Sequence, residues 1–329
     1  MATQHENTQR LIRLDNLDYG QPSLKFSNPY KTKDGSLRAH VALAELTTLW
    51  LNTGTLCNLS CEHCYIESTP SNDRLSYLTL DEVLPFLKEI EEEGYGTKEI
   101  GITGGEPFMN PEILVIMEAC LKRGFSVLVL TNAMRPMMRP RIKEGLLDLK
   151  KDFKGQLTIR VSIDHFSQSL HEEERGPGSW APMIEGLQWL SDNKFQVDIA
   201  GRTSWAESES ELRRGYAQLF KEHAICIDAQ DANRLTLFPE MDDSQDVPEI
   251  TTECWQILGV SPDDMMCANS RMVVKRKGDV KPSVMACTLL AYDNRFNLGG
   301  SLQEASQSVR LNHPHCAKFC VLGGGSCSG

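Results

Sequence analysis

Between residues 47 and 240, six short apolar strands alternate with five amphipathic helices, and few folds accommodate that alternation. Repeated strand–helix units lie as parallel strands, because each crossover helix returns the chain to the same end of the sheet. The patterning predicts strands over 47–53, 99–103, 125–130, 157–163, 195–200 and 235–238. It predicts helices over 79–93, 111–122, 138–150, 180–193 and 207–223. Thr79 is the predicted N-cap of the first helix and Gly94 its stop. Six units fall short of the eight of a closed barrel. The expected fold is α/β, a partial (β/α)6 TIM-like barrel with a small Cys-rich α+β extension. Three regions follow: an N-terminal extension over 1–46, the barrel over 47–240, and the extension over 241–329.

The cysteines show where the chemistry lies. Of 11, three crowd positions 57–64 and five fall between 267 and 327. Clustered thiols in a reducing compartment mean metal or redox chemistry more often than disulfides. A reducing compartment is the expectation here. The first 16 residues are polar, no apolar run is long enough to span a bilayer, and the chain reads as cytoplasmic. A formal charge of −11 argues against nucleic acid as the general partner.

Cys57, Cys61 and Cys64 are spaced C-x3-C-x2-C on a loop directly after the first strand. Three thiolates on so short a loop suit an iron–sulfur cube with one open iron. The alternative is a zinc site completed by His63. At the end of the second strand stands Thr103-Gly104-Gly105-Glu106-Pro107. Both motifs sit at the C-terminal end of a strand, where α/β ligand sites belong.

Together these two motifs resemble those of the radical S-adenosylmethionine (SAM) superfamily, over about residues 47–240. The resemblance implies a [4Fe–4S] cluster on Cys57, Cys61 and Cys64, with SAM on the open iron. It implies reductive cleavage of SAM to a 5′-deoxyadenosyl radical that abstracts a hydrogen atom from substrate, and a low-potential electron donor such as flavodoxin or ferredoxin. Glu106 is then the acceptor for the SAM ammonium, Gly104 and Gly105 permit close approach, and Pro107 fixes the turn. Strand ends supply the remaining candidates: Thr131 and Asn132, Ser162 and Asp164, and Arg202 for the SAM carboxylate. Tyr65 is expected near the adenine.

The tail carries Cys267, a hairpin turning at Gly278-Asp279, Cys287, and then Cys316, Cys320 and Cys327. That order resembles the SPASM and twitch extensions of the same superfamily. Five cysteines are too few for two fully thiolate-held clusters. Ser283 also stands where a hairpin cysteine is expected. One auxiliary [4Fe–4S] cluster is therefore implied, with zinc as the alternative metal. Of the isolated cysteines, Cys120, Cys226 and Cys254 read as buried. Cys226 and Cys254 are also weak candidates for donating a hydrogen atom to a product radical. His165 and His171 read as loop residues, with acid–base chemistry the less favoured role.

The expected activity is hydrogen abstraction from a small metabolite, giving oxidation, epimerisation or a related rearrangement. The alternative is maturation of a ribosomally made peptide or of a protein side chain. An alternative of another class is an iron–sulfur or zinc protein that senses or binds without turnover. No membrane partner is expected.

Overall fold

The computed structural model describes residues 24–239 and 246–325. Among them, ten strands form two sheets. In chain order they are β1 (His40–Val41), β2 (Thr48–Asn52), β3 (Glu99–Thr103), β4 (Ser126–Thr131), β5 (Leu157–Ser162), β6 (Gln196–Arg202), β7 (Leu235–Phe238), β8 (Ser270–Val274), β9 (Ser283–Met285) and β10 (Val309–Arg310). The large sheet runs β7-β6-β5-β4-β3-β2-β8-β9. Strands β2 to β7 are parallel throughout, as the alternation predicts.

Strand periodicity explains the two sides of this sheet. Leu49, Leu51, Ile100, Ile102, Val127, Val129, Ile159 and Val161 alternate along their strands and are buried with the crossover helices in one core. Trp50 and Leu128 belong to a second core, shared with Met272 and Met285 of the tail hairpin. The first crossover helix begins and ends where the sequence says it should. Glu82 accepts a hydrogen bond from the Thr79 N–H at 3.1 Å at the start of helix Leu80–Glu93. Gly94, at φ 68°, takes the left-handed turn that closes that helix.

The tail hairpin does not form a sheet of its own. Strand β8 pairs parallel with β2, and β9 pairs antiparallel with β8. The hairpin therefore extends the barrel sheet at its β2 edge. The N-terminal extension is equally engaged. Strand β1 pairs antiparallel with β10, and the buried Arg38 donates to Glu249 and to the carbonyls of Asn28 and Leu311. Weak hydrophobic patterning over residues 24–46 thus reflects a wrapping segment whose backbone and arginine make the contacts.

Among the described helices of eight residues or more, one has no counterpart in the sequence patterning. Gln168–Arg175 lies between β5 and helix Trp180–Asp192, where the sequence reads as loop. Its buried residues are His171 and Glu174, so it carries no apolar stripe to betray it.

Candidate functional site

The C-terminal ends of the parallel strands open on two adjoining cavities. The first is lined by Cys57, Cys61 and Cys64 together with Gly104, Gly105, Thr131 and Asn132. The second, of about 140 Å³, is lined by Trp50, Asp164, Phe238 and, from the tail, Thr288, Leu289 and Phe319. Six residues border both: Tyr65, Thr103, Leu130, Ser162, Arg175 and Arg202.

The cysteine loop thus faces most of the predicted cofactor residues. Cys57 Sγ accepts a hydrogen bond from the Leu59 N–H at 3.4 Å, and Cys64 Sγ one from the Ser68 N–H at 3.3 Å. Among the described residues, no three His, Cys, Asp or Glu side chains converge on a point as metal ligands. The three thiols share a cavity wall instead. Burial pushes the Cys57 thiol up to about 12, helped by the nearby Glu106, and burial also raises Cys61. Thiols this basic bind metal by losing their protons to it. A soft, all-sulfur donor set beside a pocket of organic-ligand size fits an iron–sulfur cluster with a small molecule next to it.

Gly104 and Gly105, in the cavity wall, also stand close against a neighbouring stretch of chain. A Cβ on Gly104, at φ 145°, would stand 2.6 Å from the Gly54 carbonyl oxygen. One on Gly105 would stand 2.3 Å from that of Leu56. The glycines let the end of β3 press against the chain leading into the cysteine loop.

Glu106 and Pro107 are buried but are not among the residues lining either cavity. The Glu106 carboxylate accepts from the Thr131 hydroxyl at 2.9 Å, the Asn132 N–H at 2.9 Å and the Phe108 N–H at 3.2 Å. Burial pushes its carboxyl up to about 7 against those donors. Through these bonds Glu106 ties β3 to β4 and sets Thr131 and Asn132 in the cavity wall.

Asp164 is paired with Arg175 and, at 3.0 Å, with Arg202. Burial would raise its carboxyl, but the two guanidiniums outweigh burial and hold it below the usual range. Arg175 carries no sequence signal, yet it borders both cavities. The helix Gln168–Arg175 delivers it there, along with its neighbour Glu174. Glu174 accepts from the His63 N–H at 3.0 Å and from the His63 ring at 2.8 Å, and its carbonyl accepts from the Glu62 N–H at 2.9 Å. Arg202 donates to the His63 carbonyl at 3.1 Å. The two residues between Cys61 and Cys64 are hung on Glu174 and Arg202.

A third cavity lies in the tail. Cys267, Cys287, Cys316 and Cys320 line it, among Met265, Leu290, Phe296 and Leu311. Cys316 and Cys320 lie on one turn of the π-helical segment Cys316–Leu322, so both sulfurs face the same space. Burial raises Cys267 to about 11 and drives Cys316 well up. Cys327, the fifth tail candidate, lies outside the described residues. Leu289 borders both this cavity and the second one.

Three sequence expectations need correction or placement. Cys226 is exposed rather than buried, because it follows the end of helix Glu209–Glu222 on the surface. Neither it nor Cys254 lines a cavity described above. His165 is buried and bonded to Ser167 and Glu207. His171 is a buried core residue set edge-on to Trp180, with neither ring nitrogen hydrogen-bonded among the described residues.

His171 yields a pH prediction. Burial, with Arg175 second, drops its pKa to about 4 from an ordinary 6.5. Below pH 6.5 the unfolded chain gains a proton that the native chain refuses. Stability from His171 is therefore complete above that pH and is lost as pH falls toward 4, by about 3 kcal/mol in all. Urea unfolding at pH 7.5 and pH 5 should show a smaller acid loss for His171→Leu than for the parent. An equal loss would refute this account of the ring.

The comparisons with known proteins agree with this geometry. Residues 51–203 match the family model described as Radical SAM superfamily. The antilisterial bacteriocin subtilosin biosynthesis protein AlbA of Bacillus subtilis is 34 % identical over 44 % of this chain and 30 % of its own length. The AdoMet-dependent heme synthase of Methanosarcina barkeri is 31 % identical over 43 % of this chain and 39 % of its own. The matched region thus spans well under half of either relative. Among solved structures, SuiB of Streptococcus suis bound to S-adenosylmethionine superposes with a TM-score of 0.57 at 14 % identity. That match covers 78 % of this chain and 63 % of SuiB. SuiB bound to its precursor peptide SuiA gives 0.54 at 14 % identity, over 97 % of this chain and 77 % of SuiB. These two matches support the fold.

Proposed function

We propose that this chain, whose residues 51–203 match the Radical SAM superfamily model, abstracts a hydrogen atom from a peptide side chain held between barrel and tail. One observation carries the reading: the cavity of the three loop thiols shares six wall residues with a second cavity roofed by the tail. When bound, the superfamily's [4Fe–4S] cluster and SAM supply one-electron cleavage of the sulfonium and a 5′-deoxyadenosyl radical. Cys57, Cys61 and Cys64 would hold that cluster. Arg175 and Arg202 present cations at the junction of the cavities, suited to the SAM carboxylate. Tyr65 and Ser162 border the same junction, and Thr131 and Asn132 stand in the wall beside the cysteines. Enclosure beneath Leu289 and Phe319 excludes water from the reacting groups. Cys267, Cys287, Cys316 and Cys320 would hold an auxiliary cluster, one side chain away from substrate. The soluble electron donor acts from outside.

A peptide substrate is favoured by the likeness to AlbA, a bacteriocin biosynthesis protein, and to SuiB, which is seen bound to a precursor peptide. Small-metabolite chemistry is the second reading. It is favoured by the modest volume of the second cavity, about 140 Å³, and by the heme synthase relative. The test of the shared chemistry is anaerobic incubation of the reconstituted chain with SAM and dithionite. We expect 5′-deoxyadenosine and methionine in equal amounts, and none from C57A/C61A/C64A. Absence of both products from the parent would leave a binding or sensing protein.

A further inference from the structure

The two ends of the second cavity differ in character. The residues it shares with the thiol cavity are mostly polar: Tyr65, Thr103, Ser162, Arg175 and Arg202. Those it has to itself are mostly apolar: Trp50, Ala200, Phe238, Pro239, Leu289 and Phe319. Of the side-chain polar groups among the unshared residues, the Trp50 Nε1–H is buried without a hydrogen-bond partner among the described residues, and the other two are engaged. Asp164 is paired with both arginines, and the Thr288 hydroxyl contacts Met266 Sδ at 3.6 Å. Phe238, at the end of β7, stacks on Phe319 with ring centroids 6.0 Å apart and planes at 21°. Phe319 lies between Cys316 and Cys320 on the π-helical turn, so the tail's metal-binding segment also builds this wall.

A sugar-like polyol buried against such a wall would leave its hydroxyls without partners, at a cost of roughly 1–3 kcal/mol each. An aliphatic or aromatic side chain gains from the same wall. We infer that the second cavity selects an apolar side chain as the group attacked, with Phe238 and Phe319 as its specificity-determining residues. This rests on the hydrogen-abstraction reading and adds the substrate class to it.

The probes are N-acetyl-Gly-X-Gly amides with X deuterated in its side chain, X being Val, Leu, Phe, Ser, Lys or Asp, and perdeuterated myo-inositol. In productive turnover one C–D bond of X breaks homolytically, and its deuterium ends on C5′ of 5′-deoxyadenosine. The C–S bond of SAM breaks, methionine leaves, dithionite supplies the electron, and X keeps the unpaired electron. Mass spectrometry reads deuterium in 5′-deoxyadenosine. Calorimetric titration into the SAM-saturated protein, without reductant, reads binding.

We expect at least tenfold more transfer and tighter binding with Val, Leu or Phe than with Ser, Asp, Lys or inositol. Phe238→Asp should reverse the order toward Lys in both readouts. Phe319→Leu should lower the preference for Phe relative to Val. Equal transfer from all probes, or a preference for inositol or charged X, would overturn the assignment. So would 5′-deoxyadenosine that carries no deuterium from any apolar probe, and the cofactor chemistry would then stand alone. Failure to form 5′-deoxyadenosine at all would instead overturn the hydrogen-abstraction reading.

Discussion

Reconstituted without oxygen, the chain should carry about eight irons and eight sulfides, four of each per cubane. The C57A/C61A/C64A variant should retain about four, and so should C267A/C287A/C316A/C320A. Each set lines one cavity, and no thiol lines both. The two deficits should therefore add, leaving almost no iron when all seven cysteines are replaced. Only the loop variant should lose SAM-derived 5′-deoxyadenosine outright. Cys327→Ala should leave the count at eight, since the tail cavity already has four thiols on its wall. Four irons that the C57A/C61A/C64A variant loses, with one zinc that it keeps, would mean that the tail site is a tetrahedral zinc site. Four irons and no zinc would remove the tail metal altogether. Proton release on loading is a second readout, because burial holds Cys57 and Cys267 as thiols in the metal-free chain.

What the sequence disclosed follows from the kind of signal each element carries. Strands β3 and β7 fall on their predicted residues, because both are short apolar runs bounded by turns. The cysteine loop and the Gly104-Gly105 turn are legible because their chemistry demands particular residues at fixed spacing. Helix Gln168–Arg175 is illegible, because it buries a histidine and a glutamate instead of an apolar stripe. Glu174 and Arg175 are lost with it. Their role arises only when the helix returns to a loop more than a hundred residues earlier in the chain. Glu106 is recognisable from its motif, but its bonds to Thr131, Asn132 and Phe108 are not, because those partners come together only when β3 and β4 pair. Parallel pairing of β8 with β2 is equally hidden, since a hairpin's own alternation says nothing about which open edge it will join.

Glu174→Ala should cost the loop site most of its iron while the tail keeps about four. Glu174 is 5 % exposed and holds both the His63 N–H and the His63 ring, at 3.0 and 2.8 Å. It also lies 3.5 Å from Arg202, which caps the His63 carbonyl. Removing the carboxylate leaves the His63 N–H without its acceptor, at a cost of roughly 1–3 kcal/mol, while Arg202 keeps Asp164 and the His63 carbonyl. The strain falls on the two residues that join Cys61 to Cys64. Glu174→Gln keeps one acceptor for the His63 N–H and should give an intermediate iron content. His63→Phe separates this clasp from a ligand role. The backbone N–H and carbonyl at position 63 would still meet Glu174 and Arg202, so the variant should keep about eight irons, four per cubane, and its yield of 5′-deoxyadenosine. If His63→Phe instead lost the loop metal as completely as C57A/C61A/C64A, His63 would be a fourth ligand. The loop would then be a Cys3His zinc site, and the radical chemistry assigned to it would fall.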